Sequence, residues 1–337
     1  MPLPPISPDP YVPEVVRVIQ EYRAALVLHE EAQMYDMAAQ WLRIENKLND
    51  QMILLASEIE QAKTDGKAIT EALINRNVRY QELLDQVQKE IKTYNNYANS
   101  LISKGQLEMG QLGINSAADA IKVSTNAYFN LMPISAIKNM IGMLGDGTPL
   151  NRLLKKAYPD SVDGMTRALI DGMAQGLGPR QTARLMADGM SSGLNRITTI
   201  ARTEQARAFR TSSTMEYRES GVVRGFMRLV HKETACMACL MSDGEEFELE
   251  SEFEDHPNGK CACVPLIRGV DDPQWETGKE WFGQLDPERQ ENIMGAQYFE
   301  AWQDDKFALS DLRTTVHNDV WGDSPAVVSL KDLVNES

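Results

Sequence analysis

No run of the sequence approaches the roughly 18–20 consecutive apolar residues that a membrane-spanning helix needs, so transmembrane function classes drop out. The opening MPLPPISPDP has neither a basic n-region nor an apolar h-region, and the protein is expected to stay in the cytoplasm in which it is made. Histidine is scarce, with four in 337 residues, and none sits beside a nucleophile motif. There is no G-x-S-x-G, no P-loop and no H-E-x-x-H, which leaves serine, nucleotide-dependent and zincin-type catalysis without their usual machinery. Four cysteines are too few for a disulfide scaffold at this length. What is present is 42% hydrophobic and 25% charged residues, the composition of a folded chain with a real core and room for two domains.

The net charge of −15 is regional. Residues 233–337 hold 24 acids and 7 bases, whereas residues 1–232 hold 25 acids and 27 bases. Within the second group, residues 196–232 carry eight Lys and Arg against three acids, a local +5 that permits contact with a polyanion. From Asp243 to Asp255 the chain has eight acids and no base.

Six of the 15 prolines fall in residues 1–13, which reads as an extended Pro-rich arm. Val15, Ile19, Tyr22 and Leu26, then Met37, Trp41, Ile44, Leu48, Met52, Leu55 and Ile59, follow helical spacing. That predicts one long helix, or two broken near His29. After the turn signal Asp65-Gly66 a second stripe runs Ile69, Leu73, Tyr80, Leu84, Val87, Ile91, Tyr94 and Leu101. Residues 14–104 are therefore read as a long antiparallel helical hairpin. Trp41, Leu42, Met52, Ile53, Leu54 and Leu55 exceed one narrow seam, so the hairpin is expected to be a partner-docking element, separable from a soluble C-terminal module. Residues 105–195 read as short helices between glycine and proline breakers, including PRQTARLMADGM from Pro179, followed by an arginine-rich helix over 194–219. Residues 222–230 and the alternation at Phe247 and Leu249 predict a small sheet within a module spanning 196–270. Residues 271–337 are expected to be an acidic helical tail. The fold class is thus mainly α with a small α+β module.

All four cysteines lie within 28 residues, as Cys236-x2-Cys239 followed by His256-Pro-Asn-Gly-Lys-Cys261-Ala-Cys263. Two thiolates of a C-x2-C pair can converge on one tetrahedral ion, and a returning chain can supply a histidine and a further cysteine. Cys236, Cys239, His256 and Cys261 are the candidate zinc ligands, with Cys263 as the alternative fourth. Reduced cysteines in a small core are the competing reading. The pattern lacks the H-x-E and P-C-x-x-C of zinc deaminases, so a structural site is expected over a catalytic one.

Arg202 and Glu204, two apart on a helix, face different ways and are read as structural ion-pair residues that orient this helix. Arg207, Arg210, Arg218, Arg224 and Arg228 are candidates for phosphate contact with DNA, against the alternative of a solvated face that answers the acidic stretch.

The order Ile200-Ala-Arg202-Thr203-Glu204-x-x-Arg207-Ala, Gly221 and a strand, Cys236-x2-Cys239, Asp243-Gly244, His256-Pro-Asn-Gly-Lys-Cys261 and Val264-Pro265 resembles the phage head morphogenesis family, the Mu F-like minor head proteins. The resemblance covers about residues 165–268. It implies a minor structural protein of a tailed-phage head, made in the host cytoplasm and placed in the virion near the portal vertex in few copies. Implied partners are the portal protein, and beyond it capsid or scaffolding protein and phage DNA during packaging or ejection; no membrane is implied. Two other classes stand beside this expectation: a metal-dependent nuclease or hydrolase using His256 and the acidic stretch, and a DNA-binding module using the arginine helix alone.

Overall fold

The computed structural model describes residues 12–128 and 130–335. The chain is mainly helical with a small antiparallel sheet module. The Pro-rich arm expected over 1–13 lies outside the described residues except for Val12 and Pro13.

Helix α1 (Glu14–Thr64) is unbroken at His29. No glycine or proline interrupts residues 14–64, Glu14 and Lys63 suit the two ends of its dipole, and Gly66 takes φ +82° in the turn beyond it. A one-turn α2 (Glu71–Asn75) starts at Thr70, whose hydroxyl accepts the Leu73 N–H. Helix α3 (Val78–Thr125) runs well past residue 104, where the sequence suggested short pieces. Its glycines do not break it. At Gly113 a Cβ would collide with the Phe209 carbonyl, so this glycine lets two helix backbones cross closely. After a 3₁₀ turn (Ile134–Met140) come α4 (Asn151–Leu154), α5 (Ala157–Ala174), α6 (Pro179–Met190) and α7 (Ser192–Ser220). Pro179 opens α6 as expected of a first-turn proline.

Strands β1 (Val223–Leu229), β2 (Glu246–Glu248) and β3 (Ala262–Ile267) form a sheet in the order β2-β1-β3, with α8 (Met237–Met241) between β1 and β2. In register, Phe226 faces Phe247 and Pro265, Arg228 faces Cys263 and Leu229 faces Ala262. Helices α9 (Gly278–Gly283), α10 (Pro287–Met294) and α11 (Ala296–Gln303) follow. The expected helical tail then turns out to contain a β-hairpin, β4 (Arg313–Asn318) and β5 (Gly322–Val327), before α12 (Leu330–Asn335). Its strands are largely exposed and carry little apolar alternation, so the sequence held almost no strand signal there.

The chain forms two compact units: Met1–His29 with Lys104–Gly147 and Arg202–Ser337, and Glu30–Ser103 with Thr148–Ala201. These cut across the sequential segments, because α1, α3 and α7 each contribute to both. In the second unit Trp41, Met52 and Leu55 are buried; Trp41 packs edge-on to Tyr94, whose hydroxyl donates to the Met37 carbonyl. The apolar surplus expected on the hairpin is accordingly smaller, with Leu42 and Leu54 exposed and Ile53 half-buried.

In the first unit one face of the sheet, Leu229, Ala262 and Val264, packs with Val15, Val16, Ile19, Tyr22 and Leu26 of α1 and Phe209 of α7. The other face, Phe226, Cys263 and Ile267, packs with Ala117, Ile121 and Tyr217. Strand alternation sorts the two sets. The start of α1 is thus part of the core of the sheet module and not a separable arm. Among the described residues no helix is long and apolar enough to cross a membrane.

Candidate metal centre

Strand β1 ends at Leu229, and the short α8 that follows carries Cys236 at its N-cap and Cys239 one turn on. The return strand β3 is preceded by the turn His256-Pro257-Asn258-Gly259, in which Asn258 takes φ +63°. That turn brings His256 and Cys261 to the C-x2-C pair. His256 Nε2 lies 3.6 Å from Cys236 Sγ and 3.1 Å from Cys239 Sγ, and Cys261 Sγ lies 3.9 Å from Cys239 Sγ. Metal–sulfur bonds of about 2.3 Å and metal–nitrogen bonds of about 2.0–2.1 Å in a tetrahedron set neighbouring donors roughly 3.5–3.8 Å apart. The Cys236, Cys239 and His256 donors lie close enough together to meet one ion, Cys239, Asp255 and Cys261 form a second, overlapping set, and the five residues make a possible metal-binding cluster.

Cys263 stands apart from the cluster. An i, i+2 pair within one strand would share a face, but β3 begins only at Ala262. The Cys263 thiol enters the apolar cluster with Tyr217 and Phe226, and burial pushes it up to about 12.

Protonation in the metal-free cluster follows from the contacts. Hydrogen bonds from the Cys239 thiol and the His256 imidazolium hold Cys236 down to about 4. Cys239, which shares its proton with Cys236 and also meets Cys261 and burial, is pushed up. The Cys236 thiolate raises His256 to about 9. His256 Nδ1 faces the Pro257 carbonyl at 2.9 Å, an arrangement that leaves Nε2 directed at the sulfurs.

Behind the cluster sits Asp255, fully buried. Its Oδ1 accepts the His256 N–H at 3.0 Å and its Oδ2 accepts the Cys261 N–H at 3.3 Å. Arg210 and Arg228, each 3% exposed at the side chain, both approach it at 3.6 Å. Arg228 also stacks its guanidinium 4.3 Å from the Phe253 ring centre, and Arg210 donates to the Gly259 carbonyl. A Cβ at Gly259 would strike the Asp255 carboxylate, so the turn needs glycine there. Thr203 ties the turn to α7, its hydroxyl accepting the Asn258 N–H at 3.1 Å.

These positions correct the reading of the arginines. Arg210 and Arg228 are buried behind the candidate metal ligands, where both answer Asp255. Arg207 is held by Glu204, Arg218 donates to the Leu249 and Ser251 carbonyls of the acidic stretch, and Arg224 is bound by both oxygens of Asp272. The acidic stretch is answered, as the alternative had it, but largely by half-buried and buried groups instead of a solvated face.

The ion pair is also reassigned. Glu204 is fully buried and pairs with Arg207 at 2.7 Å, while Trp321 Nε1 and Gln106 Nε2 donate to its two oxygens. It thereby links α7 to α3 and to the β4–β5 turn. Arg202 makes no ion pair among the described residues and lines the cavity beside the cysteines. Sequence reasoning missed Asp255, one of eight acids in a row of acids; its place directly before His256 was the available signal. It also missed Thr203, a single hydroxyl in a charged helix, and Trp321, which is remote in sequence.

No protein-family model, curated protein or solved structure matches this chain.

Proposed function

We propose that this chain is a minor structural protein of a tailed-phage head, bound to the portal protein, and that its knuckle holds one structural zinc ion. The observation that supports the reading is convergence. Thr203, Cys236, Cys239, His256, Asn258 and Cys261, the spaced residues that carry the resemblance, meet in one place, with Gly259 required at the same turn. A motif whose parts support one another in this way is a folding unit before it is anything else.

Zinc would be held by Cys236, Cys239, His256 and Cys261, and when bound it supplies a cross-link between α8 and the turn before β3. Three thiolates and an imidazole complete a four-coordinate shell, whereas a catalytic zinc keeps a position for water. Asp255, already taken by two arginines and two backbone N–H groups, orients His256 and Cys261 and stays outside the shell. The role assigned is structural and not catalytic.

Metal analysis of freshly purified, reduced protein should find one zinc per chain, and Cys236→Ser should lose it. Mass spectrometry of purified virions and of portal-containing procapsids should find the protein in few copies, and absence from both would overturn the assignment to the head. Incubation with DNA and zinc or magnesium tests the enzyme class, since metal-dependent cleavage that His256→Ala abolishes would sink the structural reading.

A further inference from the structure

The Cys/His cluster opens on a cavity of ≈ 320 Å³ lined by the four candidate ligands together with Arg202, Lys260, His231 and Thr234. None of its lining residues is an aspartate or glutamate, in a chain with 49 acids and 34 bases.

The two permanent cations are also uncommitted. Arg207, Arg210, Arg218, Arg224 and Arg228 are each held by a carboxylate of this chain. Among the described residues Arg202 and Lys260 make no ion pair and no side-chain hydrogen bond, although both are half-buried. Of the acids close by in sequence, Asp255 is engaged by Arg210 and Arg228 and Glu233 by Arg289. Two half-buried cations that no carboxylate answers, beside the Cys236 thiolate, leave the cavity able to take an anionic ligand.

We propose that this cavity binds an oxyanion of the phosphate class, with Arg202 and Lys260 as its charge partners and His231 and Thr234 as neutral hydrogen-bonding groups. Burial, and then Arg23 and Lys260, hold His231 below its usual range, so it meets the ligand as an uncharged imidazole. The site differs from the arginine set that the sequence suggested for DNA, and it does not depend on the phage-head reading. The competing role for the two cations is to offset the charge of the nearby thiolates.

The test is calorimetric titration of inorganic phosphate into the full chain, with metal content and melting temperature measured on the same samples. Wild type should bind saturably. Arg202→Gln and Lys260→Gln should each weaken binding about tenfold and the double variant should abolish it, with metal content unchanged and Lys47→Gln, in the other compact unit, without effect. A parallel titration with a short DNA duplex identifies the source. Duplex binding that phosphate displaces and Arg202→Gln weakens supports a nucleic-acid backbone, and phosphate binding without duplex binding supports a small phosphorylated ligand. No saturable phosphate binding to wild type, or binding that the double variant leaves intact, overturns the proposal. Loss of metal from the variants without any phosphate binding to wild type overturns it in favour of thiolate charge compensation.

Discussion

Removing the Asp255 carboxylate would leave Arg210 and Arg228 buried side by side with no anion at 3.6 Å to offset them. Arg210 is the more exposed to this loss, because among the described residues Asp255 is the carboxylate it meets, whereas Arg228 keeps Glu245 at 3.7 Å. Breaking a buried pair from one side costs about 3–5 kcal/mol, so Asp255→Ala should lower unfolding stability by that amount in chemical denaturation. Asp255→Asn keeps one carbonyl oxygen for the backbone N–H groups and should recover part of the loss. The proton on His256 gives a second prediction. In the metal-free protein its pKa is raised to about 9 by the Cys236 thiolate, so the imidazolium's contribution to stability is lost as pH rises through about 9, and the pair is lost on the acid side as pH falls through about 4, where Cys236 takes up its proton. Metal needs Nε2 free of its proton. Apparent zinc affinity should therefore rise at least about tenfold per pH unit between roughly pH 6 and 8, measured by competition with a chromophoric chelator; a flat profile would contradict the thiolate–imidazolium pair.

At the scale of elements, the first four turns of α1 matter most. Val15, Val16, Ile19, Tyr22 and Leu26 are buried against the sheet face and α7, and Arg23 donates to the Leu229 carbonyl. Five such side chains at about 1.5–3 kcal/mol each amount to as much as a domain's whole stability of about 5–15 kcal/mol. Deleting residues 1–104 should then yield an aggregating or protease-sensitive product in place of a soluble C-terminal module. A truncated chain that melts cooperatively and keeps its metal would refute this. Portal docking by the hairpin is better tested with the full chain and charged replacements at exposed Leu42 and Leu54. The β4–β5 hairpin is anchored through Trp321 on Glu204, so Trp321→Phe, which removes only the indole N–H, should loosen that turn while sparing the knuckle.

At the scale of the whole molecule, the candidate metal ligands all belong to the unit that contains Arg202–Ser337. Metal binding that contributes to folding should therefore protect the two units unequally. Hydrogen exchange after chelation should rise across residues 222–268, while residues 37–98, whose core rests on Trp41, Met52, Leu55 and Tyr94, keep their protection. Equal deprotection of both would show that the two units unfold as one.

The amino-acid sequence alone determined the buried stripe of the first helix and the candidate ligand residues. Every member of the first stripe, from Val15 to Ile59, is buried, because 3.6-residue periodicity is a local property that a solvent-facing helix must satisfy wherever it packs. Cys236, Cys239, His256 and Cys261 were legible for a related reason: thiol and imidazole at short spacing have few other uses. Tertiary structure alone decided which charges face one another. Asp255 is set apart from its acidic neighbours by lying fully buried against both Arg210 and Arg228, and Arg202 differs from Arg207, Arg210, Arg218, Arg224 and Arg228 in having no carboxylate to meet. Charge pairing is long-range in sequence and short-range in space, and burial sets its strength, so no pattern along the chain could have ranked these residues.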